Sequence, residues 1–133
     1  MREWERVDAG SGRLFTASLE LVGKRWSPGI LLAVARGAAR FSEIRATVPG
    51  VSDRLLAQRL KELELAGLVE RQVIATTPVQ VRYSLSPRGD DLMGSLRPLV
   101  AYGARWAEAG SSACTPSRPP THESSRHVRP AQP

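Results

Sequence analysis

Arg54, Gln58 and Lys61 follow one another at steps of four and three, so on a helix all three share a face. Their chemistry suits a nucleic acid. Arginine can bind guanine through two parallel hydrogen bonds, glutamine can do the same with adenine, and lysine neutralises a phosphate at longer reach. Ala57 falls on the same face, while Leu56, Leu60 and Leu63 make a narrow apolar stripe opposite. Just ahead, Ser52 can cap the helix and, with the free N–H groups of the first turn, hold a phosphate at the positive end of the helix dipole. Asp53 counts slightly against that, being an acid at the same end. Leu65 also lands on the polar face and is expected to cover the hairpin or a neighbouring helix. Taken alone, such a helix is an ordinary solvated face. The surrounding elements decide between the two readings.

Other chemistries find little support. Cys114 is the only cysteine, so it forms no internal disulfide, and it lies in a Pro/Ser-rich stretch without a partner that would lower its pKa. His122 and His127 stand in the same stretch without metal-ligand spacing. Asp90 and Asp91 are adjacent near a helix start, point different ways and complement the dipole, and Glu62 and Glu64 read as solvated helix acids. No nucleophile is paired with a base, so neither an enzyme nor a cofactor is expected. The net charge of +6 favours a polyanionic partner without naming one.

The positioning elements follow from periodicity. Phe15, Leu19, Val22 and Trp26 step by four, three and four, which predicts a first helix over 14–26. Ser27-Pro28 can cap and start a second helix reaching about Arg36, apolar nearly all round and therefore central. After Gly37 a short helix from Ser42 to about Thr47 turns Phe41 and Ile44 inward. Val48-Pro49-Gly50-Val51 breaks the chain before the helix that carries Arg54, predicted over 52–66 and stopped by Gly67.

Beyond Gly67 the period changes to two. Strands are predicted over 68–74 and 79–85, joined through Ala75-Thr76-Thr77-Pro78. Ser86-Pro87 then opens a fifth helix to about Ala109. The expected fold class is mainly α with a small β-hairpin (α+β), a winged helix-turn-helix in the order α-α-α-α-β-β-α. In that arrangement the helix after the turn enters a DNA major groove and the hairpin lies on the backbone. Ser42, the tip residues Thr76 and Thr77, and the strand residues Arg71, Gln80 and Arg82 are the expected supporting contacts to double-stranded DNA. Helix, turn and basic hairpin together favour DNA binding over the solvated-face reading.

In five segments the chain resembles the HxlR-type family of bacterial winged helix regulators, over roughly 14–107. These are Leu21-Val22-Gly23-Lys24-Arg25-Trp26, Phe41-Ser42-Glu43-Ile44, Pro49 through Leu63, Gly67-Leu68-Val69-Glu70-Arg71, and Val81 through Gly89. The resemblance implies a homodimeric transcription factor, a repressor on family grounds, whose first and last helices make the dimer. An inverted-repeat operator follows from such symmetry. Many members carry a cysteine just before the first helix, and here that position is Arg13. The departure argues against a thiol sensor and leaves a small-molecule effector, or none.

Independent of the resemblance, Leu92, Leu96, Leu99, Gly103 and Trp106 repeat at four and three, the spacing of a helix–helix seam. With Phe15 and Leu19 they are the expected dimer residues. Gly94 and Pro98 weaken or bend that helix, so its first half can pack on the core and its second on a partner. Residues 1–13 read as an N-terminal arm, 14–109 as the folded domain, and 110–133, rich in Pro and Ser, as a disordered tail. With no signal segment or membrane-length apolar run in view, a cytoplasmic protein is expected. The rival to DNA binding is a winged helix used only for protein docking or dimerisation.

Overall fold

A computed structural model describes residues 3–109 of the chain. After a single 3-10 turn at Trp4–Arg6, five helices and two strands follow in the order α1 (Ala9–Val22), α2 (Ser27–Ala35), α3 (Phe41–Thr47), α4 (Asp53–Leu65), β1 (Val69–Ile74), β2 (Gln80–Leu85) and α5 (Pro87–Ala109). This is the expected winged helix-turn-helix order.

α3 begins at Phe41 and α4 at Asp53, each one residue from the expected start, and the starts of α1 and α2 differ for reasons of their own. α1 begins at Ala9, because the Asp8 side chain accepts a hydrogen bond from the Ser11 amide at 2.6 Å and caps the helix there. Arg13 therefore lies inside α1, not ahead of it. Trp26 does not continue α1, which ends at Val22; it adopts a left-handed conformation (φ 78°) as the residue before α2, and Ser27 is the first helical residue, not the cap. Pro28 still falls in the first turn, where its missing N–H costs nothing.

The core of the unit spanning Met1–Leu96 forms around α2. Ile30, Leu31 and Ala33 are fully buried, as the all-round apolar pattern requires. Ile44 of α3 and Leu56, Leu60 and Leu63 of α4 join them, each at 1% exposure or less. Burying one such side chain is worth roughly 1.5–3 kcal/mol, so the α4 stripe alone holds that helix firmly. Val48 and Val51 anchor the link between α3 and α4. Gly50 at its tip has φ +89°, which favours glycine, and a Cβ there would crowd the Trp26 ring at 3.3 Å.

β1 and β2 pair antiparallel, with Val69 opposite Leu85, Arg71 opposite Tyr83 and Gln72 opposite Arg82. The strands are shorter than expected: Leu68 precedes β1 and is buried, and Val79 lies in the connection and is exposed. The hairpin is tied to the helices by the Tyr83 amide, which donates to the Ala39 carbonyl at 2.7 Å. Ser86 caps α5, its hydroxyl donating to the Gly67 carbonyl and accepting from the Gly89 amide at 2.9 Å. Gly89 lets α5 lie directly against the backbone of Leu68, whose carbonyl oxygen a Cβ would strike. Leu92, Met93 and Leu96 then pack on the core. From Arg97 the chain belongs to a second compact unit, in which the rings of Tyr102 and Trp106 sit 6.5 Å apart and tilted by 48°. The tail proposed for 110–133, with Cys114, His122 and His127, lies outside the described residues. No helix among the described residues is long and apolar enough to cross a membrane.

Candidate nucleic-acid interface

The face of α4 opposite its leucine stripe is open. Arg54, Ala57, Gln58 and Lys61 are all exposed, on a helix whose other side is fixed in the core. Such a helix presents its polar side chains from a rigid support, which base recognition needs. Ser52 is the cap: its hydroxyl oxygen accepts from the Leu55 amide at 3.2 Å, leaving its hydrogen available to a phosphate oxygen. The acid at this end is compensated, since Asp53 pairs with Arg45 of α3 at 3.0 Å. Leu65 covers neither the hairpin nor a helix; at 80% exposure it stands in solvent at the end of the polar face, because α4 stops beside it.

Glu62 is not the solvated acid its spacing suggests. Its carboxylate accepts from Arg59 Nη1 at 3.1 and 3.2 Å, lies 3.6 Å from Lys24 Nζ, and accepts from Gln58 Nε2 at 3.4 Å. Desolvation pushes this carboxyl up, but the charges of Lys24 and Arg59 and the hydrogen bonds from Gln58 and Arg59 outweigh it and hold the group below its ordinary value. Arg59 also donates through Nε to the Arg25 carbonyl at 3.0 Å, tying α4 to the link between α1 and α2. In that link the Arg25 guanidinium lies 4.9 Å from the centre of the Trp26 ring. Sequence reasoning missed Lys24 and Arg59. The spacing of Arg59 and Glu62 on one helix was a usable signal; Lys24, a helix away, offered none.

The hairpin residues do not act as one group. The register places Arg71 with Tyr83 on one face and Arg82 with Gln72 on the other, so the two arginines point to opposite sides. Both are exposed. Gln80 shares the face of Arg82 but is half-buried and engaged, accepting from Arg40 Nη2 at 3.3 Å. Arg40, just before α3, is a cation that the sequence reading passed over. At the tip, Thr76 and Thr77 are exposed, and the Thr76 hydroxyl donates to the Pro78 carbonyl at 2.8 Å. Ser42 is exposed near the start of α3.

The proposed dimer residues fall into two groups. Phe15 (59%), Leu19 (42%), Leu99 (58%) and Trp106 (55%) are large apolar side chains left in solvent. Leu92 and Leu96 are half-buried and pack against the core of their own chain. No group of acids, histidines and cysteines suited to a metal ion occurs among the described residues.

A buried-backed helix with an exposed Arg/Gln/Lys face, set by a tight turn and followed by a basic hairpin, is the architecture of a winged helix-turn-helix DNA-binding protein. The HxlR-like helix-turn-helix family model matches residues 21–111. Over 93 residues the chain is 42% identical to YvaP, an uncharacterized HTH-type transcriptional regulator of Bacillus subtilis, covering 70% of this chain and 82% of that one. It is 40% identical to the HTH-type transcriptional regulator YodB of the same organism, covering 74% and 88%. The structure of the redox regulator HypR in its reduced form is 30% identical, covers 74% of this chain and 94% of that one, and superposes with a TM-score of 0.61. The chain belongs to the HxlR-like helix-turn-helix family, a family of DNA-binding transcription regulators.

Proposed function

We propose that the protein represses transcription as a symmetric homodimer on an inverted-repeat operator, with one α4 in each major groove and the half-sites about one helical turn, or a multiple, apart. The observation that carries this reading is the exposed Arg54, Gln58 and Lys61 face on a helix whose opposite stripe is buried to 1% or less. Arg54 and Gln58 read bases, Lys61 and Ser52 hold phosphates, and Arg82 with the hairpin tip rests on the backbone. Ser42 and Arg71 add backbone contacts. The partner covers Phe15 and Leu19 of α1 and Leu99 and Trp106 of α5, residues too large and too exposed to suit an isolated chain.

HypR is a redox regulator. Carried to this chain, a thiol switch lacks its reactive group, since no position before Cys114 is a cysteine. The reading for this protein is therefore control by a small-molecule effector. The test is a gel-shift series with the full chain across operator variants and salt concentrations. Arg54→Ala should lose discrimination among variants by roughly 1–3 kcal/mol, while Arg82→Ala should weaken all sequences alike and reduce the salt slope by about one. Equal loss of discrimination in both variants would sink the assignment.

A further inference from the structure

The contact between Gln58 and Glu62 has a consequence for base selection. Gln58 and Glu62 are one turn apart on α4, and their side chains meet at 3.4 Å. An amide side chain carries a donor end and an acceptor end of nearly equal shape, and a glutamine free to rotate about its last bond presents either order to a base edge. A carboxylate only accepts. The end of Gln58 that faces Glu62 must therefore be the nitrogen, whichever way the amide would otherwise turn. Glu62 is itself fixed, because Arg59 holds both its oxygens at 3.1 and 3.2 Å and Lys24 approaches to 3.6 Å. Its lowered pKa keeps it a pure acceptor at neutral pH.

We propose that Glu62 is a positioning residue for base recognition: held by Arg59 and Lys24, it locks the Gln58 amide in one orientation and so narrows the base pair that Gln58 accepts. With one amide hydrogen given to Glu62, Gln58 keeps one hydrogen and its carbonyl oxygen, the donor and acceptor that adenine N7 and N6 require. A flipped amide would present the opposite order and tolerate other edges. Lys24 and Arg59 also offset the negative charge that Glu62 would otherwise bring beside a phosphate backbone. The inference rests on the reading that Gln58 contacts bases.

The experiment is selection of bound sequences from a random DNA pool with the full-length protein and four variants, each checked for its melting temperature. Gln58→Ala marks the position that Gln58 reads, where the adenine preference should fall by about fivefold or more. Glu62→Gln, whose amide can donate as well as accept, should flatten the preference at that same position by about fivefold or more while leaving the other positions sharp. Glu62→Asp, which keeps the charge but withdraws it by one methylene, should do the same and stands in if Glu62→Gln folds poorly. Arg59→Ala, which removes the group on both Glu62 oxygens and the tie to the Arg25 carbonyl but leaves Lys24, should weaken binding to all sequences and flatten the preference at that position by less than the Glu62 variants do. The idea is overturned if both Glu62 variants keep the wild-type preference, or if they flatten every position alike, because Glu62 would then only brace the helix. If Gln58→Ala leaves every preference intact, the reading of Gln58 fails, and the role of Glu62 fails with it.

Discussion

α1 and α4 carry comparable amphipathic patterns and meet opposite fates. On α4 the stripe of Leu56, Leu60 and Leu63 is buried to 1% or less, whereas on α1 Leu14, Phe15 and Leu19 remain 71%, 59% and 42% exposed and only Val22 is buried. Their polar sides differ too. Glu62 of α4 gathers Lys24, Gln58 and Arg59, while on α1 the hydroxyls of Thr16 and Ser18 only donate back to their own helix, to the carbonyls of Gly12 at 3.0 Å and Leu14 at 2.9 Å. Periodicity reports that a helix has an apolar face; it does not report what covers that face. For α4 the cover is the same chain. For α1 it is, on the dimer reading, a second copy.

The largest expected effect comes from emptying the covered stripe. Leu60→Ala should destabilise the domain by about 2–5 kcal/mol, through lost transfer energy and a cavity at the centre of the core. Phe15→Ala in α1 should change the stability of the monomer by less than about 0.5 kcal/mol, as surface substitutions do. Denaturant melts at a concentration low enough to keep the chain monomeric make the comparison, and equal losses would break it.

A smaller effect is expected where the chain is assembled. Phe15→Glu puts a charge in the middle of the uncovered face, and sedimentation should show dimer dissociation strengthened by about tenfold or more, equivalent to roughly 1.4 kcal/mol. A one-unit charge change at a solvated position of α1, Glu20→Gln, should leave association untouched. A wild-type chain that stays monomeric at high concentration would remove the second copy from the account of α1.

How much of this was legible depended on where the determining partner sits in sequence. α2, α4 and the hairpin were readable because their periodicity is the trace of burial inside one chain. The Ser86-Pro87 start of α5 was readable for a local reason as well, since the serine caps an amide three residues on. The start of α1 was not, because Gly10 and Gly12 give the first turn neither apolar spacing nor helix propensity, and the Asp8 cap alone places it. Trp26 misled for a related reason. It continues the apolar spacing of α1, yet its backbone is left-handed and its ring lies over Gly50. In the site, the faces of α4 were legible and the Glu62 cluster was not, since Lys24 is brought to it only by the fold. The opposed directions of Arg71 and Arg82 required the strand register, which the turn sets and composition does not.

The smallest expected effect separates the two helices by pH. Asp8 caps α1 in solvent, and its carboxyl is held below the ordinary value by the hydrogen bond from the Ser11 amide first and the Ser11 hydroxyl second, against a small opposing effect of desolvation. A carboxyl lowered on folding contributes stability above its unfolded pKa and loses it as pH falls through the folded one. Acidification below the usual carboxylate range should therefore fray the first turn of α1, seen as faster amide exchange at Gly10 to Gly12, while the middle of α4 stays protected. Glu62 loses its ion pairs over a similar acid window, since its pKa is lowered as well, but the leucines beneath it do not titrate. Asp8→Asn keeps a capping oxygen without the charge, so it should remove the acid response of α1 and leave that of the Glu62 cluster. If α1 and α4 instead lose protection together at one pH in both proteins, the two helices belong to a single cooperative unit, and the difference between them is confined to their surfaces.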